Sequence, residues 1–470
     1  MYISKKWLDH HFLSNGFTIK QYEDAFDKLG WKIVDKYDQT SMFNNLFIGK
    51  IGNVSKIDNS DDSFVFVDLG DELVDPFVSN YKNWIDGGFV LVAKDKAVLP
   101  TGEIVKNQII DNRASVGKIL SLKDLNFKNL TELEKENVFN IFSHEYLVEK
   151  IGLPNGVSEL WLDDLIWNLA IPHNRDDLTI GFNVLKTIAK VLEEKNGIDL
   201  KNLRAKQLVN NHSVGLKLRN TAITGLDLLG YNFVEAKSYV VYDDSDLNLN
   251  LFSKQEILLR YLNFKIEDNI FANLSNLIFY ETGVKTVFID EDFLQNGVNI
   301  STTSEEIIIS KHNEDVVFSS IDGYNSNYKP SHRTKNYVVI YYVQATTKNK
   351  NYKKYEAVKQ NSDLINQAFE RVVFWLDHYG ILATTNKPEI MVNNLFKIEL
   401  KTSSAKLNDK FGKYLKAKDL NNLLSDLGFD FNQNSEEIDV KISEYRQDIK
   451  TEKDLINEIR DWLSLKNKKN

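Results

Sequence analysis

The stretch NNLFIGKIGNVSKIDNSDDSFVFVDLG, from Asn44 to Gly70, alternates apolar and polar residues on both sides of a polar turn. Successive side chains of a strand point to opposite faces, so the pattern predicts two half-buried strands joined by a loop. Another strand pair is predicted over residues 87–105, with a Pro-Thr-Gly turn that starts at Pro100. Several short strands at this spacing predict a small β-barrel over residues 39–150.

The predicted barrel, of the oligonucleotide-binding (OB) type, interrupts a mixed α/β segment. In residues 1–38, the stretches MYISKKWL and WKIVDKY predict strands, and Gly30 ends a helix between them. Residues 151–195 return to mixed structure. We therefore assign residues 1–38 and 151–195 together to one N-terminal α/β domain, with the barrel inserted in it.

A helix is predicted within IPHNRDDLTIGFNVLKTIAKVLEE, from Ile171 to Glu194. Pro172 blocks helix upstream, and Asp177 is the predicted N-cap. A helix start explains this shape, but it does not explain why Asn, Arg and Asp are grouped before it. Apolar residues at helical spacing predict one buried face, which consists of Leu178, Phe182, Leu185, Ala189 and Leu192.

The rest of the chain predicts two further domains, so the fold class is α+β and multidomain. Residues 200–385 mix strands such as NYVVIYYVQATT with helices such as SDLINQAFERVVFWLDHYG, and form a large mixed α/β domain. Residues 395–470 read as strand, helix (KAKDLNNLLSDLGF), strand (IDVKIS) and helix (TEKDLINEIRDWLSL), and form a small α/β domain.

Composition narrows the classes of protein that fit. A chain of 470 residues suggests three or four domains. It contains no cysteine, which excludes disulfides and thiolate metal sites. No apolar run approaches the ~18 residues of a membrane span, and the N-terminus lacks the apolar core of a signal peptide, so we expect a cytoplasmic protein. Because the net charge is −9, nucleic acid can be bound only through local basic patches.

Motifs of self-sufficient active sites are missing from the sequence. There is no G-x-S-x-G, no G-x-G-x-x-G, no phosphate-binding G-x-x-x-x-G-K-[ST], and no pair of histidines at metal-ligand spacing. Three lysine-rich stretches, at 201–220, 348–359 and 401–419, could hold a phosphate backbone. The alternative for each is an ordinary solvated charged face.

One group of oxygen-bearing side chains could hold Mg²⁺. Asp454 and Glu458 are four residues apart on a predicted helix, Asn457 is adjacent, and Asp448 precedes the helix. The alternative is a capping box formed by Thr451 and Asp454, which explains an acid at this position without any metal.

The order of these segments resembles the beta subunit of bacterial phenylalanyl-tRNA synthetase over essentially the whole chain. LSDLGF, YETGVKTVFIDEDFL and the barrel strands resemble segments of that family. The family's T-P-N-R-x-D-x-L segment matches the helix start at 171–178, with His173 inserted; the matching residues are Pro172, Asn174, Arg175, Asp177 and Leu178. Its Ser-Tyr-Arg-x-Asp-Ile motif matches Tyr445, Arg446, Asp448 and Ile449.

The resemblance implies a partner, a substrate and a cofactor. The family pairs with an alpha subunit in a heterotetramer, binds tRNA(Phe), and uses ATP only through the alpha subunit, which attaches phenylalanine to tRNA. Mg²⁺ would bind at Asp448, Asp454, Asn457 and Glu458, although Asn457 stands where the family has Glu. The family's His-Pro-Asn-Ala-Asp turn of the tRNA-binding barrel is replaced here by residues 57–61. The alternative is a free-standing, non-catalytic tRNA-binding protein.

The large domain resembles the family's editing domain, which removes tyrosine from mischarged tRNA. The family's His falls on Val287, its Glu on Ile340, and its Gly-Gly pair on Ser319 and Ser320. We therefore expect Val287 and Ile340 to be ordinary strand core and proofreading to be lost. The chain ends at Asn470, before the family's catalytic-like and anticodon-binding domains, so we expect either a fragment or a naturally short relative.

Overall fold

A computed structural model describes most of the chain. The ranges outside the description are 13–15, 41–42, 71–73, 111, 143–146, 154–155, 171–179, 197–222, 228–231, 241–250, 295–297, 303–305, 312–314, 332–333, 335, 344–361, 380–388, 392–397, 412–415, 428, 435–436, 443–448 and 468–470. The chain divides into two compact units. Unit 1 contains residues 1–10, 33–169 and 249–273, and unit 2 contains residues 11–32, 170–248 and 274–470.

The elements that lie wholly or mostly in unit 1 are β1 (Tyr2–Ser4), α1 (Lys5–His11), β2 (Lys32–Asp38), β3 (Leu46–Lys56), β4 (Ser63–Asp68), β5 (Asp75–Ser79), β6 (Phe89–Lys94), β7 (Gln108–Ile110), β8 (Arg113–Ser115), β9 (Gly117–Ile119), α3 (Glu132–Glu136), β10 (Asn140–Ile141), α4 (Gly156–Glu159), β11 (Leu165–Ala170) and α6 (Ser253–Tyr261).

The elements that lie wholly or mostly in unit 2 are α2 (Ile19–Lys28), α5 (Gly181–Asn196), β12 (Ile223–Asp227), β13 (Asn232–Val240), α7 (Ile270–Thr282), β14 (Lys285–Asp290), β15 (Val298–Thr302), β16 (Ile307–Lys311), β17 (Val316–Ser319), β18 (Gly323–Tyr324), β19 (Asn336–Val343), α8 (Ser362–His378), β20 (Glu389–Met391), β21 (Ile398–Ser403), α9 (Ser404–Phe411), α10 (Ala417–Asp426), β22 (Asp430–Asn434), β23 (Glu437–Ile442) and α11 (Glu452–Asn467).

The predicted barrel is present in unit 1 as a nearly closed sheet. Its strands follow the order β10-β6-β3-β4-β5, and β9 also pairs with β6. The far edge curls back, because Val116, just before β9, donates its N–H to the carbonyl of Pro76 in β5 at 3.0 Å. The interior is apolar and is filled from five strands by Ile51, Val65, Val67, Phe77, Val90, Val92 and Ile119.

The first residues of the chain differ from the prediction. The strand predicted over the first eight residues ends at Ser4, and α1 begins at Lys5. Ser4 turns the chain because its Oγ accepts the N–H of Trp7 at 2.9 Å, as an N-cap does. The strand β1 then pairs with β11 in the order β1-β11-β2.

The two helices predicted before and after the barrel segment of the sequence are present in unit 2. Thr18 and Gln21 form a capping box at the start of α2, and Gly30 follows its end with a φ of 70°. Helix α5 begins at Gly181, later than the predicted start at Leu178, because Ile180 accepts the first helical N–H, that of Val184. The predicted cap Asp177 and Leu178 lie outside the described residues. The rest of the predicted face is buried and consists of Phe182, Leu185, Ala189 and Leu192.

The large part of unit 2 contains two sheets. One has the order β14-β19-β13-β20, and the other has the order β12-β15-β16-β17-β18. The predicted strand NYVVIYYVQATT contains β19, and the predicted helix at 362–380 contains α8. One apolar cluster joins side chains of both sheets, among them Val287, Ile309 and Ile340.

The final part of unit 2 contains the predicted strands and helices together with two further elements. The sheet order is β21-β23-β22, and α9, α10 and α11 accompany it. The sequence had not predicted α9 or β22. Within the described residues, no helix is both long and apolar enough to cross a membrane.

Candidate functional site

The start of α11 carries three of the four residues predicted to bind Mg²⁺. Asp454 accepts three hydrogen bonds on its Oδ2 atom: from Thr451 N at 2.9 Å, Thr451 Oγ1 at 2.8 Å and Lys450 N at 3.1 Å. The N–H of Asp454 returns a bond to Thr451 Oγ1 at 3.3 Å. This is a reciprocal helix cap, so the capping role proposed as the alternative to metal binding is present.

The same geometry leaves a partial fit to a cation. The bond from the Thr451 hydroxyl, followed by backbone donors, lowers the pKa of Asp454, so the carboxylate is charged at neutral pH as a ligand must be. Glu458 lies one helical turn further along α11 and is half-buried, as is Asn457. Asp448 lies outside the described residues. Among the residues that the structure describes, no group of three or more His, Cys, Asp or Glu side chains is arranged to hold a metal.

Residues at the predicted editing positions lie inside the apolar core of unit 2. Val287 of β14 and Ile340 of β19 are opposite one another in the antiparallel pairing of these strands. Val287 is 0% and Ile340 1% exposed. The prediction that both are ordinary strand core is confirmed, and neither aliphatic side chain can activate water.

The two serines at the position of the family's Gly-Gly pair stabilise a turn. Ser319 accepts the N–H groups of Ile321 at 3.1 Å and Asp322 at 3.0 Å, and its hydroxyl also bonds to Glu306. Ser320 accepts the N–H of Ile307 at 2.9 Å. Sequence reasoning had not singled out Glu306, a carboxylate that contacts this turn.

The barrel segment lacks the excess of positive charge that binding to a phosphate backbone requires. Residues 39–150 contain 12 Lys and Arg but 17 Asp and Glu. The turn at 57–61, which replaces the family's His-Pro-Asn-Ala-Asp segment, carries Asp58 and Asp61, and Asp62 follows it directly; Asn59 within the turn has a φ of 59°. Three acids so close together repel phosphate rather than attract it.

The sequence did not predict two contacts between basic and aromatic side chains in the barrel segment. The guanidinium of Arg113 lies 4.9 Å from the ring centre of Phe64, and Lys94 Nζ lies 5.4 Å from that of Phe47. Phe64 is only 6% exposed, so its ring face is not open to a base. Lys94 is also 3.3 Å from Asp75, which offsets its charge.

The lysine-rich stretches are described only in part. Those at 201–220 and 348–359 lie outside the described residues. In the third, Lys406 of α9 pairs with Glu452 at 3.3 Å, and Lys401 of β21 lies 3.8 Å from Asp439. Lys401 is 74% exposed, so its ion pair is weak and solvated. A solvated charged face explains these lysines.

Comparison with known proteins gives a consistent result. Residues 400–460 match the family described as the tRNA synthetase B5 domain. Phenylalanine-tRNA ligase beta subunits from Mycoplasma mycoides and Mesoplasma florum are 23% and 22% identical to this chain, each over 98% of it. That of Staphylococcus aureus strain MRSA252 is 20% identical over the same share. The chain spans 59% of the length of each of these relatives.

A solved structure also matches. An N-terminal fragment of the phenylalanyl-tRNA synthetase beta subunit from Pyrococcus horikoshii aligns with 64% of this chain and 88% of its own, at 11% identity and a TM-score of 0.33. The sequence relatives alone carry the assignment, because they share one name and extend over nearly all of the chain. The resemblance predicted from the sequence is confirmed: over nearly all of its length, this chain is similar to phenylalanine-tRNA ligase beta subunits.

Proposed function

We propose that this chain is the beta subunit of a phenylalanyl-tRNA synthetase, or the N-terminal part of one. It supports the ATP-dependent attachment of phenylalanine to tRNA(Phe), and the reaction itself takes place on a partner alpha subunit in the cytoplasm. The observation that supports this proposal is similarity to beta subunits over 98% of the chain. The sequence motifs that cradle nucleotide phosphates are missing from this chain, which agrees with an ATP site on the partner.

Co-expression with the alpha subunit of the same organism tests this proposal. We expect the two chains to purify together and to form phenylalanyl-tRNA, whereas this chain alone forms none. Binding of tRNA(Phe) by the chain alone, without association with the alpha subunit, would instead favour a free-standing tRNA-binding protein. Phenylalanyl-tRNA formation by the purified chain alone would contradict the division of labour.

The proposed domain boundaries follow the family resemblance. They are an N-terminal α/β domain (1–38 plus 151–195), an OB-type tRNA-binding domain (39–150), an editing-like domain (200–385) and a small metal-binding domain (395–470). The B5 match at 400–460 falls within the last of these. Limited proteolysis followed by mass spectrometry tests the boundaries, since cleavage concentrates in exposed connections between domains.

The proposed Mg²⁺ site consists of Asp448, Asp454, Asn457 and Glu458. Asp454 fits Mg²⁺ for two reasons. The three hydrogen bonds of the cap all end on Oδ2 and so do not use Oδ1, and the lowered pKa of the carboxyl keeps it ionised. When bound, Mg²⁺ would supply a positive charge that neutralises these acids and holds the start of α11 in place. Asn457 contributes a neutral oxygen where the family has a carboxylate, which weakens the site.

We also propose that the editing-like domain no longer hydrolyses mischarged tRNA. Val287 and Ile340 are buried and aliphatic at the positions where the family has His and Glu. Ser319 and Ser320 are engaged in a turn at the position of the Gly-Gly pair. The domain then serves as scaffold within the subunit.

A further inference from the structure

The segment 95–107 of unit 1, together with the strand that follows it, exposes a group of aliphatic side chains. Val98 and Ile104 are opposite one another in an antiparallel bridge, and they are 51% and 57% exposed. Directly opposite residues of an antiparallel pair lie close enough for their side chains to touch. Ile109 of β7 is 79% exposed. Single exposed aliphatic residues need no explanation, but three within twelve positions indicate a contact surface.

Two lysines flank the aliphatic pair. Lys96 is two positions before Val98 and Lys106 is two positions after Ile104, so the antiparallel register brings both lysines to the same end of the pair. Both lysines are exposed. Neither has an ion-pair partner within the part of the chain that the structure describes. The surface therefore combines aliphatic side chains with positive charge that no described carboxylate pairs with.

The acidic residues of the same segment are engaged in other contacts. Glu103 Oε2 lies 2.7 Å from Lys118 Nζ, and Asp95 Oδ1 accepts the N–H of Asn107 at 3.3 Å. Asp111 lies outside the described residues. An aliphatic surface with two lysines complements a partner that is both apolar and acidic.

The backbone at Lys96 gives a second, independent indication. Lys96 N–H bonds to the carbonyl of Val105 at 2.8 Å, and Val105 N–H bonds to that of Ala97 at 2.9 Å, so two residues oppose one in a β-bulge. The φ of Lys96 is 68°, in the left-handed region that favours glycine or asparagine. Seven of the nine described non-glycine residues with positive φ are asparagine. A lysine here stores backbone strain, so its charge rather than its conformation accounts for its presence.

We propose that this surface docks an acidic, aliphatic segment of another polypeptide. The partner's aliphatic side chains cover Val98, Ile104 and Ile109, and its carboxylates pair with Lys96 and Lys106. RNA fits less well, because base stacking uses aromatic side chains and the exposed apolar side chains of this surface are aliphatic. These five residues take no part in the proposed Mg²⁺ site or in the editing-like domain, so the inference goes beyond the proposed function.

Fluorescence anisotropy of three labelled pentapeptides, titrated with the full chain, tests this proposal. Glu-Leu-Glu-Leu-Glu carries both features of the partner, Glu-Ser-Glu-Ser-Glu keeps only the charge, and Gln-Leu-Gln-Leu-Gln keeps only the aliphatic side chains. We expect the first peptide to bind at least about fivefold more tightly than either of the others, and added salt to weaken its binding. A labelled oligouridylate is the fourth probe and represents RNA.

The substitution Lys96→Asn separates binding from folding. It removes the charge and places asparagine in the left-handed conformation, so we expect the melting temperature to stay equal or to rise. Binding of the Glu-Leu peptide should weaken about fivefold, as the loss of one exposed ion pair allows. The matched control is Lys56→Asn at the far end of β3, an equally exposed lysine whose loss should leave binding unchanged.

The double variant Val98→Thr with Ile104→Thr tests the aliphatic part of the surface. Threonine keeps the β-branched shape that suits a strand but exposes a hydroxyl, so binding of the Glu-Leu peptide should weaken about tenfold.

Five results would overturn the proposal. The Glu-Leu peptide does not bind up to about 1 mM. The peptide that keeps only the charge binds equally well. Lys56→Asn and Lys96→Asn weaken binding equally. Lys96→Asn lowers the melting temperature, which would assign the lysine to the fold. The oligouridylate binds more tightly than the peptide, which would assign the surface to RNA.

Discussion

Asp454 shows how one carboxylate can serve both a fold and a ligand. Its Oδ2 closes the helix cap with Thr451, and the hydrogen bonds that close it also lower its pKa. A carboxylate whose folded pKa is lowered stabilises the fold above its unfolded value of 3.8, and this stabilisation is lost as pH falls through the folded value. Capping and metal binding therefore both require the ionised carboxylate at neutral pH. Only mutation can separate the two roles.

The substitution Thr451→Ala separates them. It removes the hydroxyl of the cap, so we expect α11 to lose about 1 kcal/mol of stability and the pKa of Asp454 to rise towards 3.8. Mg²⁺ affinity should change little, since the carboxylate remains. Asp454→Ala should abolish both the side-chain cap and Mg²⁺ binding. Hydrogen exchange of α11 and calorimetry with MgCl₂ measure the two effects. Unchanged Mg²⁺ binding in Asp454→Ala would show that Asp454 is only a cap.

At the scale of elements, the junction of β1 and α1 shows what the sequence could not predict. Alternation predicted a strand over the first eight residues, but Ser4 and Asp164 stop it at position 4. Asp164 accepts the N–H of Lys6 at 2.9 Å and that of Leu165 at 2.7 Å. Asp164 is distant in sequence, so no local pattern could reveal its part in starting the helix, although Ser4 is a local N-cap.

This junction predicts a pH dependence. Burial, which outweighs the hydrogen bonds from Ser4 and two backbone N–H groups, raises the pKa of Asp164 from 3.8 to about 6. An acid with a raised folded pKa binds more protons in the folded state, so stability falls as pH rises between these two values. The change is on the order of 2 kcal/mol.

The substitution Asp164→Asn should remove this slope while keeping an oxygen for both N–H groups. The free energy of unfolding of unit 1, measured by hydrogen exchange between pH 4 and pH 7, checks the expectation. Asp163→Asn is the matched control, and it should keep the slope that Asp164 contributes. A slope that persists in Asp164→Asn would assign the pH dependence to another group.

Barrel closure depends on a close approach that the alternating pattern does not reveal. A Cβ atom on Gly117 would lie 2.1 Å from the carbonyl oxygen of Ala93, where β9 pairs with β6. Gly117→Ala should therefore cost about 1–3 kcal/mol. Gly52→Ala in β3 is the control: its nearest neighbour would be Phe66 O at 3.5 Å, and the change should be within about 0.5 kcal/mol. Equal urea midpoints for the two variants would contradict this reading.

Helix α9 was missed for a different reason. KTSSAKLNDKF contains few apolar residues, and among those whose burial the structure describes Leu407 is the one buried apolar side chain, so no helical period was visible. By contrast, α2, α5 and α8 have broad apolar faces, and the sequence predicted all three. Local patterns thus predicted the strongly amphipathic elements and failed where a few tertiary contacts decide the structure.

At the scale of the whole molecule, the barrel has the predicted fold, but its charge does not suit the ligand expected for it. The strand pattern predicted the barrel, and the structure contains it, yet its residues carry 17 acids against 12 basic side chains. At 23% identity to the Mycoplasma mycoides beta subunit, most surface residues are free to differ in charge. Any tRNA(Phe) contact by this chain must therefore be local or supplied together with a partner.

In the editing-like domain, too, the fold is present while the side chains needed for the family's chemistry are replaced. Hydrolysis of tyrosine from tRNA requires a group that activates or positions water. At the family's positions the chain instead has Val287 and Ile340, which are 0% and 1% exposed and pack in one core cluster. We expect the complex with an alpha subunit to hydrolyse purified Tyr-tRNA(Phe) no faster than the enzyme-free control does.

Because Glu306 binds Ser319 beside this core, Glu306→Gln is the informative variant. Rapid hydrolysis that Glu306→Gln abolishes would show that the domain edits through a different carboxylate, and hydrolysis at the control rate in both proteins would establish it as scaffold.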